Sequence, residues 1–314
     1  MKKKKWILAA CLGIALVLVC CAGCSTNQSG ASEVKTQSGA VTYPVKVKDD
    51  LNNEVTIESE LKRIVSLSPA NTEILFALDA GSRQVGRTDY CNYPDAAQSI
   101  ESIGDYNSPN VEKIISLNPD VVLATDFIDD NVRKQLENAG AKVIVFKAAS
   151  IDDVEKDIVT VGQVVNKNDK AKETVEKMNA DRKDIVDACK KASSQKSVFI
   201  DLGDYYSCGD GSLLGSMLTE INAKNIASGG KSDWPQLSVE QIISANPDVY
   251  ISFMNSAETI KQVSGFDQLN AVKNKQLYAY GLTSEDSDKM QRPGPRIVEG
   301  LKLMAKDVYP DLVK

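Results

Sequence analysis

The chain has 314 residues, a formal net charge of −6 and no histidine. An acidic balance with no basic run beyond the first residues argues against a nucleic-acid partner. The missing histidine removes histidine general bases, Ser-His-Asp triads, histidine-rich metal receptors and histidine-ligated haem together.

Lys2 to Lys5 precede an apolar run from Trp6 to Ala22, and Gly23-Cys24 follows. This is the layout of a secretory signal peptide, and the small residues before Cys24 resemble a lipoprotein processing site. The expectation is a leader over residues 1–24, lipidation at Cys24, and a remainder held outside the cytoplasm on the membrane face; an uncleaved anchor helix is the alternative. Residues 25–44 are rich in Ser, Gly and Thr with few apolar positions, as a flexible tether would be. Beyond the leader only Cys91, Cys189 and Cys208 remain. An odd, widely spaced set does not indicate a disulfide framework, and one bridge stays open.

A first lobe is expected over residues 45–150. Residues 45–57 alternate like a short hairpin around Asp50-Leu51-Asn52-Asn53. Residues 63–67 read as a strand, and Ser68-Pro69 opens a helix with a capping hydroxyl and a proline in its first turn. That helix ends near Gly81, and residues 85–88 form the next strand. Residues 111–125 then read as an amphipathic helix stopped by Asn118-Pro119, followed by a β-branched strand. A helix over 131–138 and a strand over 142–146 complete the lobe.

Residues 151–192 contain apolar positions at helical spacing and no proline, and residues 169–192 are dense in charge. This predicts a long helix connecting two lobes, with two ordinary surface helices as the alternative. The second lobe, residues 193–314, begins with a strand over 197–203 and a helix from Ser212 to Ile221. Residues 239–253 repeat residues 111–125 with nine of fifteen positions identical and no gap. Two copies so far apart imply two similar lobes rather than a short-period solenoid. A helix from Ile260, a strand over 277–280 and a terminal helix from Pro295 to Val308 close the chain. The fold class expected is α/β: two lobes with parallel sheets wrapped by helices, joined by a long connecting helix.

Ligands of open α/β sheets bind beyond the carboxyl ends of the strands, and two lobes put that place in a cleft. The loops at those ends carry Tyr90, Tyr106, Tyr205, Tyr206 and Trp234, rings suited to a large, flat, partly apolar ligand. The segment from Ser287 to Arg296, read as a loop, offers Asp288, Gln291 and Arg292 to amide or carboxylate groups. Cys91 and Cys208 stand on facing loops and could be thiol ligands or a clasp. No paired catalytic constellation is evident, so an enzyme is not expected.

Residues 63–70, 90–94, the two Asn-Pro-Asp junctions and Arg292-Pro293-Gly294-Pro295-Arg296 resemble the two-lobed substrate receptors of ABC importers for cobalamin, haem and ferric siderophores, and Trp234-Pro235-Gln236 is most similar to the cobalamin receptors. The resemblance implies a monomeric, lipid-anchored receptor with no cofactor of its own that delivers cobalamin or a related corrinoid to an ABC permease and its ATPase; a ferric siderophore or haem is the alternative cargo. It implies that Tyr90, Tyr106, Trp234 and the Leu202-Gly203 turn wall the corrin; Tyr205, one of the loop rings, is expected to bind the ligand with them. Asp288, Gln291 and Arg292 would meet its amide edge. Glu112 and Glu240, equivalent members of the repeat, would dock on the permease, one acid per lobe.

Overall fold

The structure, a computed structural model, describes residues 38–314. The leader, Cys24 and the first part of the expected tether lie outside the described residues. Residues 39–41 are fastened: Gly39 N donates to Asp169 Oδ1 at 3.0 Å and Val41 N to Asn166 Oδ1 at 2.8 Å. The end of that stretch is therefore bound to the body of the protein, unlike the free tether expected through residue 44.

The first lobe opens with an antiparallel hairpin, β1 (Val45–Lys48) and β2 (Glu54–Ile57). Asp49 closes its turn by accepting from Leu51 N at 3.1 Å and Asn53 N at 2.7 Å. Then follow β3 (Ile64–Ser66), α1 (Pro69–Ala77), β4 (Gln84–Arg87), α2 (Val111–Ser116), β5 (Val121–Thr125), α3 (Asp130–Asn138) and β6 (Lys142–Phe146). Ser68 caps α1 by accepting from Asn71 N at 3.1 Å, with Pro69 where no N–H is needed. The four strands after the hairpin form a parallel sheet in the order β4-β3-β5-β6.

Two helices link the lobes, α4 (Ile151–Val164) and α5 (Asn168–Cys189), the second 22 residues long. The break between them falls at Asn166, in the left-handed region at φ 56°.

The second lobe runs β7 (Ser197–Asp201), α6 (Leu213–Glu220), β8 (Lys224–Asn225), α7 (Val239–Ala245), β9 (Val249–Ser252), α8 (Ala257–Lys261), α9 (Asn270–Lys273), β10 (Leu277–Ala279), α10 (Glu285–Gln291) and α11 (Ile297–Val308). Its parallel sheet has the order β8-β7-β9-β10, the order of the first sheet. Two expectations are corrected here. Residues 285–291 are helical, started by the Ser284 cap, where a loop was read. The helix expected from Ile260 is two short helices, divided by a left-handed Gly265 at φ 87°.

The repeated fifteen residues are α2 with β5 and α7 with β9. Both junction asparagines, Asn118 and Asn246, sit at φ 46°, left-handed rather than in the extended region usual before proline. Asparagine tolerates that conformation. The aspartates that follow do the same work in each lobe. Asp120 Oδ2 accepts from Lys62 N at 2.7 Å and Arg63 N at 2.8 Å, at the start of β3. Asp248 Oδ2 accepts from Ser197 N at 2.9 Å and Ser197 Oγ at 3.0 Å, at the start of β7.

Successive strand residues point to opposite faces. Val121 and Leu123 enter a core that continues through α4 and α5 to Val198, Ile200 and Ile251 in the second lobe. Val122 and Ala124 enter a cluster on the other face with Ile114 and Leu136. In the second lobe Phe199, Tyr250, Ile242 and Phe266 form the corresponding outer cluster. Both sheets are thus covered on both faces, as parallel sheets require. Arg182 on α5 ties the arrangement: Nε and Nη2 each donate to Glu220 of α6 at 2.7 Å, and Nη1 pairs with Asp152 of α4.

Candidate functional site: the cleft between the lobes

A cavity of about 520 Å³ lies between the lobes. The first lobe contributes the start of α1 at Ser68, Pro69 and Ala70, then Tyr106, residues 125–127 after β5 and residues 146–149 after β6. The second contributes residues 211–213 at the start of α6, Asp233 and Trp234, and residues 291–293. In the first lobe these positions follow the carboxyl ends of β3, β5 and β6, the edge where α/β sheets bind.

Four aromatic residues, Tyr106, Phe127, Phe146 and Trp234, stand in the wall. The Tyr106 hydroxyl shares a hydrogen bond with Thr125 Oγ1 at 3.0 Å, and burial pushes its pKa up. Phe127 is 70% exposed and Trp234 is 49% exposed, so both rings are open to a ligand. Lys147 pairs with Asp126 at 3.4 Å in the same wall. Gln291, also in the lining, donates through Nε2 to Ser287 Oγ at 2.7 Å.

The Trp234 loop is held by close backbone approach. Ser207 N donates to Pro235 O and Gly209 N to Asp233 O, each at 2.8 Å. A Cβ on Gly209 would come within 2.3 Å of Ser232 O, and one on Gly211 within 2.1 Å of Asp233 Oδ1. At Gly209, where the near atom is backbone, only glycine permits that contact; at Gly211 the Asp233 side chain would have to turn away.

Of the residues the sequence singled out, the structure brings Tyr106, Trp234, Gln291 and Arg292 together in the cavity lining. Tyr90 lies outside it, 56% exposed, with its hydroxyl on Asp105. Asp288 also lies outside, and its carboxylate pairs with Arg292 Nη2 at 2.8 Å. Leu202, Gly203 and Tyr205 do not line the cavity: a turn with Gly203 at φ 111° and Tyr205 at φ 61° lays the Tyr205 ring 6.0 Å from Phe266, and Gly203 lies against Met254. Arg292 lines the cavity, but its terminal nitrogens are taken. Nη1 donates to Glu73 Oε1 at 3.0 Å and Asn92 Oδ1 at 2.7 Å, and Nη2 to Tyr90 O at 3.4 Å.

Glu112 and Glu240 are exposed residues in the first turns of α2 and α7, away from the cavity. Hydrogen bonds from its own backbone N–H and from Ser238 hold the Glu240 carboxyl below its ordinary range. Cys91, Cys189 and Cys208 are all free and buried. Burial lifts the Cys208 thiol to about 12 and the Cys189 thiol to about 11. Cys91 instead sits among hydroxyls, 3.2 Å from both Thr72 Oγ1 and Thr88 Oγ1. The clasp expected between Cys91 and Cys208 is not formed, since both thiols are free and buried.

Phe127, Phe146, Lys147 and Leu213 line the cavity and were missed. Phe127 and Lys147 come within two residues of the ends of β5 and β6, so the rule of carboxyl strand ends, applied to every strand, finds them.

A family model described as periplasmic binding protein matches residues 64–282. The chain is 37% identical, over 100% of both sequences, to an ABC transporter substrate-binding lipoprotein of Bacillus subtilis. It is 29% identical to a cobalamin-binding protein of Halobacterium salinarum, covering 97% of this chain and 85% of that one. Among solved structures, a possible iron-binding (periplasmic solute-binding) protein from Staphylococcus epidermidis superposes with a TM-score of 0.70 at 34% identity, over 80% of this chain and 100% of the other.

Proposed function

Because the chain belongs to the periplasmic binding protein family and is a solute receptor of an ABC importer rather than an enzyme, we propose that it captures cobalamin or a related corrinoid between its lobes. The observation that carries this reading is the cavity wall. Tyr106, Phe127 and Trp234 offer ring faces from both lobes, and Gln291 offers an amide. A flat macrocycle gains stacking and buried area from such rings, and its amide side chains find hydrogen-bond partners of matching kind. The similarity to the cobalamin-binding protein supports the same cargo.

In this proposal the corrinoid is cargo, no cofactor resides in the protein, and a lipid on Cys24 holds the monomer at the membrane. Glu112 and Glu240, exposed at equivalent helix starts, present one acid per lobe to the permease, whose partner ATPase drives uptake. Titration calorimetry of the purified chain with cyanocobalamin should give a 1:1 complex and a change in Trp234 fluorescence. The likeness to the possible iron-binding protein favours a second reading, a ferric siderophore. Tight siderophore binding with no response to any corrinoid would select it.

A further inference from the structure

Glu73 is not among the residues that line the cavity, yet it is a point at which the two lobes grip each other. Its side chain is 3% exposed on α1 of the first lobe, and all of its ion-pair partners come from the second. Arg296 Nε donates to Glu73 Oε2 and Nη2 to Oε1, both at 2.8 Å. Arg292 Nη1 adds a third bond at 3.0 Å. The Arg296 guanidinium also lies 3.7 Å above the Tyr93 ring of the first lobe. Gly294, between the two arginines, runs against the backbone of Ala70 and the Glu73 Cβ. The cavity walls at Ser68–Ala70 and at 291–293 therefore belong to the same two segments that this cluster clamps.

We propose that Glu73 is a positioning residue for capture: it holds Arg292 and Arg296, and through them the 291–293 wall, at the separation from the start of α1 that shapes the cavity. This rests on the reading of the cavity as the capture site. A buried carboxylate pinned by two guanidinium groups resists separation, because parting them leaves charges unpaired in a poorly solvated place. Arg292 on this account serves the ligand through Glu73 and not by direct hydrogen bonds, since its terminal nitrogens are already taken by Glu73, Asn92, Tyr90 and Asp288.

The test is a double-mutant cycle in the full chain with Glu73→Gln, Arg292→Met and the pair, read by stopped-flow dissociation of cyanocobalamin and by amide exchange without ligand. Each single variant should speed dissociation about tenfold and the pair no more than either alone. In the ligand-free protein, exchange at the amides of residues 70–73 and of 291, 292 and 294 should rise in both singles with the same non-additivity. Wild-type dissociation and exchange in E73Q would overturn the proposal, as would additive effects, which would make Arg292 a direct ligand contact. Failure of the wild type to bind cyanocobalamin would count against the corrinoid reading alone, and the exchange cycle would still decide the role of Glu73. Should E73Q not fold, Glu73→Asp, which keeps the charge but shortens its reach, replaces it in the same cycle and is expected to show a smaller effect of the same sign.

Discussion

Asp120 and Asp248 occupy the same place in the two halves of the repeat, and each fastens the first residues of its lobe's leading strand. Besides accepting through its carboxylate, each donates its backbone N–H to that strand, Asp120 N to Arg63 O at 2.8 Å and Asp248 N to Ser197 O at 2.9 Å. The left-handed asparagine before each one aims the chain so that both bonds can form.

Replacing Asp248 by Ala should destabilise the protein by about 1–3 kcal/mol, since Ser197 N and Oγ lose their acceptor in a partly buried place. Urea denaturation measures this as a lower midpoint. An unchanged midpoint would mean the shared aspartate is incidental.

Arg182→Met should cost about 3–5 kcal/mol, because it strands Glu220 and Asp152 together with Glu155, whose side chain is 3% exposed. The same denaturation series reads it. A loss below 1 kcal/mol would show that the connecting helix is held by its apolar face alone.

Asp307 gives the pH dependence. It is buried on α11, accepts from the Tyr280 hydroxyl at 2.6 Å, and is raised from 3.8 to about 7, chiefly by burial. Between those two values the folded chain holds a proton that the unfolded chain has released, so this group's contribution to stability falls as pH rises from about 4 to about 7, by about 4 kcal/mol at most. Asp307→Asn should flatten that slope in denaturation curves taken across the window. A slope identical to wild type would assign it to other carboxyls.

Trp234→Ala should weaken capture by roughly 1–3 kcal/mol through the loss of a stacked, buried face. Calorimetry with cyanocobalamin reads the change, and an unaltered affinity would remove Trp234 from the ligand's wall.

Reversing Glu112 and Glu240 to Arg should leave cyanocobalamin affinity as in wild type, since neither lines the cavity, and should slow uptake into cells that carry the importer. Uptake at the wild-type rate would show that docking uses another surface.

The architecture was legible because the sequence states it twice. The junction of helix, Asn-Pro-Asp and strand carries its own hydrogen bonds, so local chemistry alone reveals both lobes. Tyr106 and Trp234 were found because aromatic residues in loops at strand ends stand out. Leu202 and Gly203 enter the expected wall through the resemblance and Tyr205 through its place among the loop rings, but a turn with three positive φ values, at Gly203, Asp204 and Tyr205, packs the Tyr205 ring near Phe266 instead. Arg292 looked free because its partners Glu73 and Asn92 lie some two hundred residues earlier in the chain, beyond the reach of any local pattern. Residues 285–291 read as a loop because their charge hid a capped helix.

The three cysteines among the described residues carry a practical consequence. All are buried and unbridged, and Cys189 and Cys208 stay protonated at neutral pH. The folded body therefore needs no oxidant to mature and gives a reductant no bond to cut. It should keep its shape equally well in thiol-rich and in aerated surroundings.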